Sequence, residues 1–343
     1  MSSRRKLLFI ACINECNQPR GGAEAKNQIL LRKLEKEYDQ ELVYIDTSRG
    51  LVLLNYLRLL GGIIWYKRIA LSIPSTALMK LSLLYYIFLK KRLVVFVIGG
   101  VIYKKLKSGR LRTLIESAKY VYVETHNLRD NIKRVSPRIN AQYLPNFKEI
   151  PTLLLGEKTI TNSVRLVYLS RIHIDKGIFR CLELVKYLNG IDSSIQYSLD
   201  IYGAFELTAE QHRLFDQIVN NDKSINYKGF LDLTTVSGYT LLATYHFLIF
   251  LTNHFGEGFP GVLIDAMIVG VPVIASKWRY NEEILFENGE VLGDIIDLDL
   301  DYIQNAANAI LALVSNKERY KVLSQILRLT AQKYDVERLK FDI

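Results

Sequence analysis

The chain has 343 residues, 49% apolar and 23% charged, with 45 Lys and Arg against 35 Asp and Glu and a net charge of +10. This length and apolar share exclude disorder and low complexity, and suit two domains with separate cores. Three cysteines, Cys12, Cys16 and Cys181, are too few for a disulfide scaffold and suggest a reducing compartment, while the positive charge raises nucleic-acid binding as a first reading.

In chain order, the basic segment Met1–Lys6 leads into an apolar run, Leu7–Ile13, that passes straight into Asn14-Glu15. That is too short for a secretory signal and reads as a buried first strand. Further strands are expected at Leu42–Asp46, Leu93–Ile98, Tyr120–Glu124 and Gln142–Leu144, with helical pattern at Ala23–Tyr38 and Arg110–Ser117. The pattern then restarts. Strands at Arg165–Leu169, Ser198–Tyr202, Ile225–Tyr227, Phe247–Leu251 and Pro272–Ala275 alternate with helices near 177–189, 208–221, 234–243 and 261–269, and helices near 302–314 and 317–333 close the chain. Such alternation predicts parallel sheets covered on both faces, in two successive doubly wound domains divided near 145–158. Ligands in these folds sit just after the carboxyl ends of strands.

The charge divides along the same line. Residues 1–155 carry a net +16 and residues 156–330 a net −6. Residues 47–115 hold 13 Lys or Arg, no Asp or Glu, and long aliphatic runs. Within that stretch the longest uncharged runs, Ile69–Met79 and Leu93–Tyr103, have 11 residues each, against about 20 needed for a membrane span. A basic helix from residues 69–89 lying in a membrane interface is the expectation, set against an ordinary solvated basic face.

Two segments carry the chemistry. After the strand at 247–251 comes His254-Phe-Gly-Glu257-Gly258-Phe259-Pro260-Gly-Val-Leu-Ile-Asp265. Its glycines permit close backbone approach, and Pro260 suits a helix start, so loop and helix N-terminus form an anion site flanked by Glu257 and Asp265. Gly256–Gly261 also satisfies G-x-G-x-x-G, with Glu282 and Glu283 downstream. A dinucleotide fingerprint usually opens the first βαβ unit, and Glu257 would set a carboxylate against a pyrophosphate; sugar hydroxyls are better partners for it. The second segment, Tyr168-Leu-Ser-Arg171-Ile-His-Ile-Asp-Lys176-Gly177, follows a strand and can curl two cations onto one phosphate group. Two surface cations at a helix start would be the bland alternative. Cys12 and Cys16, four apart with no partner cluster, read as buried or spare thiols.

Together these segments resemble the retaining family-4 glycosyltransferases of the bacterial capsular and exopolysaccharide type. Arg171 and Lys176 match that family's Arg-x4-Lys pair. Glu257-Gly258-Phe259-Pro260 through Asp265-Ala266 matches its Glu-x7-Glu signature, and Gly270-Val-Pro272-Val-Ile-Ala275 follows it. Gly203, Tyr227-Lys-Gly229-Phe230, Leu144-Pro-Asn146 and Gly21-Gly22-Ala23-Glu24 extend the likeness over most of the chain.

The resemblance implies a GT-B fold: an α/β architecture of two doubly wound, Rossmann-like domains facing across a cleft. Residues 1–150 would form an acceptor-binding, membrane-facing domain, 151–333 a nucleotide-sugar domain, and 334–343 a tail packing back on the first. It implies transfer of a sugar, with retention, from a nucleotide-diphosphate donor such as a UDP-sugar to a glycan acceptor, lipid-linked, at the inner face of the cell membrane. Anionic lipid would be a partner and nucleic acid would not. No cofactor is expected, and cations and a helix dipole would stand in for a metal. Arg171 and Lys176 would neutralise the diphosphate, and Glu257 would hold the transferred sugar. Gly203, Phe230, Leu231, His254, Gly258, Phe259 and Pro260 would border the donor, with Asp265 on the ribose. Gly21, Gly22, Gly99, Gly100 and His126 would face the acceptor. Two departures stand out. Asp265 replaces a longer Glu, and Ile98-Gly99-Gly100 lies where many relatives place a histidine, for which His126 is the candidate substitute. An NAD(P)-dependent oxidoreductase using Gly256–Gly261 and a basic nucleic-acid binder remain the rival readings.

Overall fold

A computed structural model describes residues 6–14, 21–47, 53–74, 77–78, 80, 82, 88, 91–107, 109–191, 194–287 and 289–343; Cys16 and most of 75–90 lie outside them. The chain divides into two compact units. Unit 1 comprises residues 1–148, 256–259 and 334–343, and unit 2 comprises 149–255 and 260–333.

Unit 1 is built on a parallel sheet of β1 (Leu7–Ala11), β2 (Leu42–Asp46), β3 (Arg68–Ser72), β4 (Arg92–Phe96), β5 (Tyr120–Val123) and β6 (Ala141–Tyr143), in the order β2-β1-β3-β4-β5-β6. Its helices are α1 (Gly22–Tyr38), α2 (Leu53–Trp65), α3 (Ile102–Lys105), α4 (Gly109–Glu116) and α5 (His126–Val135). Strand β1 is apolar throughout and 0% exposed at every residue, and β3 and β4 are apolar apart from Arg68, Ser72 and Arg92, as suits strands with helices over both faces.

The run at 69–79 departs from the sequence expectation. Its first residues, Ile69–Ser72, belong to β3, buried between β1 and β4, so they cannot lie on a lipid surface. A short apolar run flanked by Arg68 and Pro74 has the length of a buried strand, and its periodicity does not separate strand from helix. The rest of the 69–89 reading falls largely outside the described residues. Among the described residues, no helix is long and apolar enough to cross a membrane.

The terminal segment belongs to unit 1. Lys148 N–H donates to Tyr334 C=O and Val336 N–H to Lys148 C=O, while Arg68 donates to the Ile343 carbonyl. Phe341 meets the rings of Phe96 and Tyr122 edge-on, at 5.5 and 5.9 Å between centroids.

Unit 2 holds β7 (Ser163–Leu169), β8 (Gln196–Tyr202), β9 (Ile225–Gly229), β10 (Phe247–Phe250), β11 (Val273–Ser276) and β14 (Gly293–Ile296), parallel in the order β14-β11-β10-β7-β8-β9. A small hairpin, β12 (Phe286–Glu287) and β13 (Glu290–Val291), precedes β14. Helices α6 (Ile178–Ile191), α7 (Ala209–Asn221), α8 (Val236–Leu242), α9 (Gly261–Val269), α10 (Asn281–Leu285), α11 (Tyr302–Ser315) and α12 (Lys317–Ala331) complete the unit. The core packs Leu182, Val185 and Leu188 of α6 with strand residues such as Tyr168, Leu199 and Ile249. Helix α9 is almost wholly buried, and Gly270 (φ 67°) ends it in the left-handed conformation. The sequence pattern predicts no strand at 293–296, because Gly293 and Asp294 are poor strand formers.

One lysine gives unit 2 a pH dependence. Lys158 donates to the Tyr245 carbonyl at 2.7 Å, and burial, aided by Arg328, pushes its pKa down to about 7 from 10.5. The folded chain therefore binds fewer protons than the unfolded chain between those values. This group's contribution to stability grows as pH rises from 7 towards 10.5 and is lost as pH falls through 7. Lys158→Met is expected to flatten that rise in a series of Tm measurements from pH 6 to 10; an unchanged slope would remove Lys158 as its source.

Candidate active site

In unit 2 the first strand, β7, lies between β8 and β10, so the chain switches direction across the sheet at the β7/β10 pair. The crevice beyond the carboxyl ends of two such strands is where this topology presents ligands. Leu169 leads there into Ser170-Arg171, and Phe250 into Leu251–Phe255. Glycines let these segments meet. Gly177, at φ 81°, packs where an added Cβ would stand 2.2 Å from the Leu251 carbonyl oxygen. The Asp175 carbonyl accepts from Asn253 N–H at 2.8 Å and from the Thr252 hydroxyl at 3.1 Å. Trp278 donates to the His254 carbonyl at 2.7 Å, which ties the loop to the end of β11.

This crevice gathers the expected cations. Lys176 ends a single 3-10 turn, Ile174–Lys176, and is only 8% exposed. Arg171 is more open and donates to Glu206 at 2.5 Å. Glu206 is held below the ordinary carboxylate range, chiefly by that hydrogen bond, with His173 and His254 adding to the effect. A carboxylate thus occupies an anion-attracting position among Arg171, His173 and His254. His173, Asp175 and His254 have ligand atoms within 4.8 Å of one another. His173 Nδ1, however, accepts from Asp175 N–H at 3.0 Å, so the neutral ring carries its proton on Nε2. It presents a donor there rather than a lone pair, which suits an anion better than a metal ion.

Gly203 follows β8 at φ 148°, where an added Cβ would stand 1.8 Å from the Ser170 carbonyl oxygen. Its N–H donates to Gly229 C=O at 2.8 Å, and Tyr227 OH donates to Gly203 C=O at 3.1 Å. Phe230, next to Gly229, is 54% exposed, whereas Leu231 is buried. The β7, β8 and β9 ends therefore lie together. Pro260 caps α9 in extended conformation. Asp265, on that helix, is 3% exposed and accepts from Tyr239 OH at 2.7 Å.

The loop Gly256–Phe259 belongs with unit 1 instead. Glu257 is 7% exposed. Gly99, at φ 79°, has the Gly256 carbonyl oxygen 3.4 Å from where a Cβ would stand, and an added Cβ on Gly258 would meet Gly99 Cα at 3.2 Å. Backbone fills the place where the family pattern suggested a histidine. His126 begins α5, is exposed, and stacks on Tyr143 with centroids 3.9 Å apart. Gly21 caps α1, and among the described residues nothing lies within 4 Å of a Cβ at Gly21 or Gly22. Gly100 follows Gly99 in the turn after β4. Nearby, Asn27 donates to the carbonyls of Cys12 and Ser72, joining the carboxyl ends of β1 and β3.

Residues 157–329 match the family model for glycosyl transferases group 1. The chain belongs to this family. Among solved structures, HepE of Anabaena in complex with UDP has a TM-score of 0.72 at 17% identity, covering 97% of this chain and 96% of that one. Its complex with UDP-glucose gives 0.71 at the same identity and coverage. Sucrose-phosphate synthase from Thermosynechococcus elongatus gives 0.69 at 16% identity, covering 96% and 95%. At these identities the likeness concerns the fold, which is GT-B. No curated protein sequence matches the chain.

The matched span of this group 1 glycosyltransferase includes Arg171, Lys176, His254, Glu257 and Asp265. Membership decides against the oxidoreductase and nucleic-acid readings. The position of the glycine string agrees, since Gly256–Gly261 follows the fourth strand of its sheet rather than the first. Sequence reasoning missed Glu206, Tyr239 and, in unit 1, Lys26 and Glu124, and it named Asn146 within a family segment without giving it a role. A lone Glu, Tyr or Lys within ordinary helix or loop text carries no local signal.

Proposed function

We propose that this glycosyltransferase takes its sugar from a UDP-sugar and transfers it, with retention, to a lipid-linked glycan at an anionic membrane surface during cell-surface polysaccharide synthesis. The observation that carries the donor part is the pairing of Arg171 with the buried Lys176 at the β7/β10 switch point, beside a glycine-hugged strand end. Cleaving the bond between the sugar and the diphosphate builds negative charge on the leaving group. Preorganised cations, Lys176 buried and Arg171 half-buried, stabilise that charge more in the transition state than in the bound donor. Exposed Phe230, beside Gly203, borders the nucleobase. Asp265, steadied by Tyr239, faces the ribose, and Glu257 accepts from the hydroxyls of the transferred sugar. HepE, a fold neighbour, is known in complexes with UDP and UDP-glucose, which favours uridine as the base.

A thermal-shift screen of nucleotide sugars tests the donor class, because binding to the folded state raises the apparent Tm by mass action. A shift with UDP-sugars and UDP supports the reading; none with any nucleotide at millimolar concentration defeats it. Arg171→Ala is expected to weaken UDP binding by roughly 10- to 100-fold, the worth of a charge-assisted contact. Glu206→Gln should tighten it by a few-fold, because UDP then displaces no ion pair. Unchanged affinity in Arg171→Ala, measured by calorimetric titration, would remove the phosphate role.

The membrane part rests on the acid-free stretch 47–115 and on the end of α2. Ile64 and Trp65 are 62% and 72% exposed there. Lys91 donates to the Ile64 carbonyl at 2.7 Å, and exposed Lys67 and Arg92 adjoin it. An apolar tip ringed by cations suits the headgroup region of an anionic leaflet. Flotation with phosphatidylglycerol vesicles should recover the protein at low salt and lose it with Trp65→Ser; no flotation would refute membrane contact.

A further inference from the structure

We infer that Glu124 is a positioning residue: with Lys26 and Asn146 it clamps the peptide of Phe259 and so sets the conformation of the loop that carries Glu257. Glu124 follows β5 and is 6% exposed. One carboxylate oxygen accepts from Lys26 Nζ at 2.7 Å, and the other accepts from Phe259 N–H at 3.2 Å. Asn146 donates through Nδ2 to the Phe259 carbonyl at 2.8 Å, and its own Oδ1 accepts from Phe147 N–H at 2.9 Å. Both polar groups of one loop residue are therefore bound by buried side chains from separate segments. The Phe259 ring also packs edge-on against Tyr334, with centroids 5.4 Å apart.

Gly258 fits this arrangement tightly. A Cβ there would stand 2.7 Å from the Glu124 carboxylate and 3.2 Å from Gly99 Cα. A buried ion pair is a poor means of gaining stability, because desolvation offsets its attraction and apolar residues of similar volume often do as well. What this pair supplies that an apolar pair cannot is an acceptor of fixed position for Phe259 N–H. Lys26 holds that carboxylate in place through the 2.7 Å contact, with its own ammonium 5.3 Å from the centre of the Phe147 ring. The clamp is a property of unit 1 alone. Its consequence for sugar transfer rests on the role proposed above for Glu257.

The test separates acceptor from charge. Lys26→Met/Glu124→Gln removes both charges and keeps an amide oxygen for Phe259 N–H. Lys26→Met/Glu124→Leu removes both charges and the acceptor. Three quantities are measured on the full chain: Tm by calorimetry, amide exchange at Phe259 by mass spectrometry with fragmentation, and Kd for UDP. The expected result is a Tm for the two double variants within a few degrees of each other, with UDP affinity alike. Phe259 exchange should be at least tenfold faster with Leu than with Gln. Sugar transfer, with whichever donor the screen identifies, should fall in kcat in the Leu variant with little change in KM. Equal Phe259 exchange in the two variants would overturn the clamp, and so would faster exchange spread evenly over unit 1. The exchange contrast needs no donor. A clamp seen in exchange, in a protein that binds no nucleotide, would leave this inference standing and the donor reading refuted.

Discussion

Glu257→Ala is expected to abolish sugar transfer, by about 10³-fold or more in kcat, while UDP still binds. Glu257 is 7% exposed, so in the role proposed for it contacts with sugar hydroxyls would be shielded from water and correspondingly strong. A carboxylate accepting two hydroxyl hydrogen bonds contributes roughly 1.5–3 kcal/mol through each, and a loss of about 4 kcal/mol in the transition state is roughly 10³-fold in rate. The diphosphate contacts proposed for Arg171 and Lys176 would not depend on that carboxylate, so UDP affinity should change by less than threefold. Far-UV circular dichroism and Tm would show the fold intact. Glu257→Gln, which keeps the shape and loses the charge, should fall between the two. Full transfer by the alanine variant would remove Glu257 from the site.

Gly203→Ala is expected to destabilise the fold far more than Arg171→Ala or Glu257→Ala. The backbone there sits at φ 148°, and the new methyl would stand 1.8 Å from the carbonyl oxygen of Ser170. That obstacle is main chain, and it is pinned on either side. Ser170 N–H donates to Tyr202 C=O at 3.2 Å, and Ile172 N–H donates to Ala204 C=O at 2.8 Å. Backbone strain of roughly 1–3 kcal/mol adds to the cost of parting these bonds, so a loss above about 4 kcal/mol is expected. For a unit of this size that lowers Tm by roughly 10 °C or more. Arg171 follows Ser170, so any surviving folded protein should also bind UDP weakly. A soluble Gly203→Ala protein with unaltered Tm would mean that the two strand ends do not approach this closely.

Much of this architecture was legible in the sequence because its signals are local. Strand–helix alternation reports parallel sheets, and the helix predicted at 261–269 is α9, bounded by Pro260 and Gly270. Arg171 and Lys176 stand five residues apart in the segment after β7, so their spacing alone suggested a shared target. The signal failed where two structures share one pattern. The run at 69–79 is apolar whether it forms an interfacial helix or, as at Ile69–Ser72, a strand between two others. It also failed at β14, whose Gly293 lies against Val273 and whose Asp294 is unusual in a strand.

By itself the sequence determined the fold class, the two-part division and the placing of Arg171 and Lys176 just after a strand, because each rests on residues within a few positions of one another. Tertiary structure decided the rest. It set the strand orders and thereby chose the β7/β10 end as the crevice. It drew residues 256–259 out of the second unit's span into the first, and it put Glu206 on Arg171 and Tyr239 on Asp265. It also joined Lys26 to Glu124 across 98 positions. In the sequence those two are ordinary charges, indistinguishable from solvated ones. Their burial depends on which segments pack over them, and that is set by the sheet rather than by any neighbour along the chain.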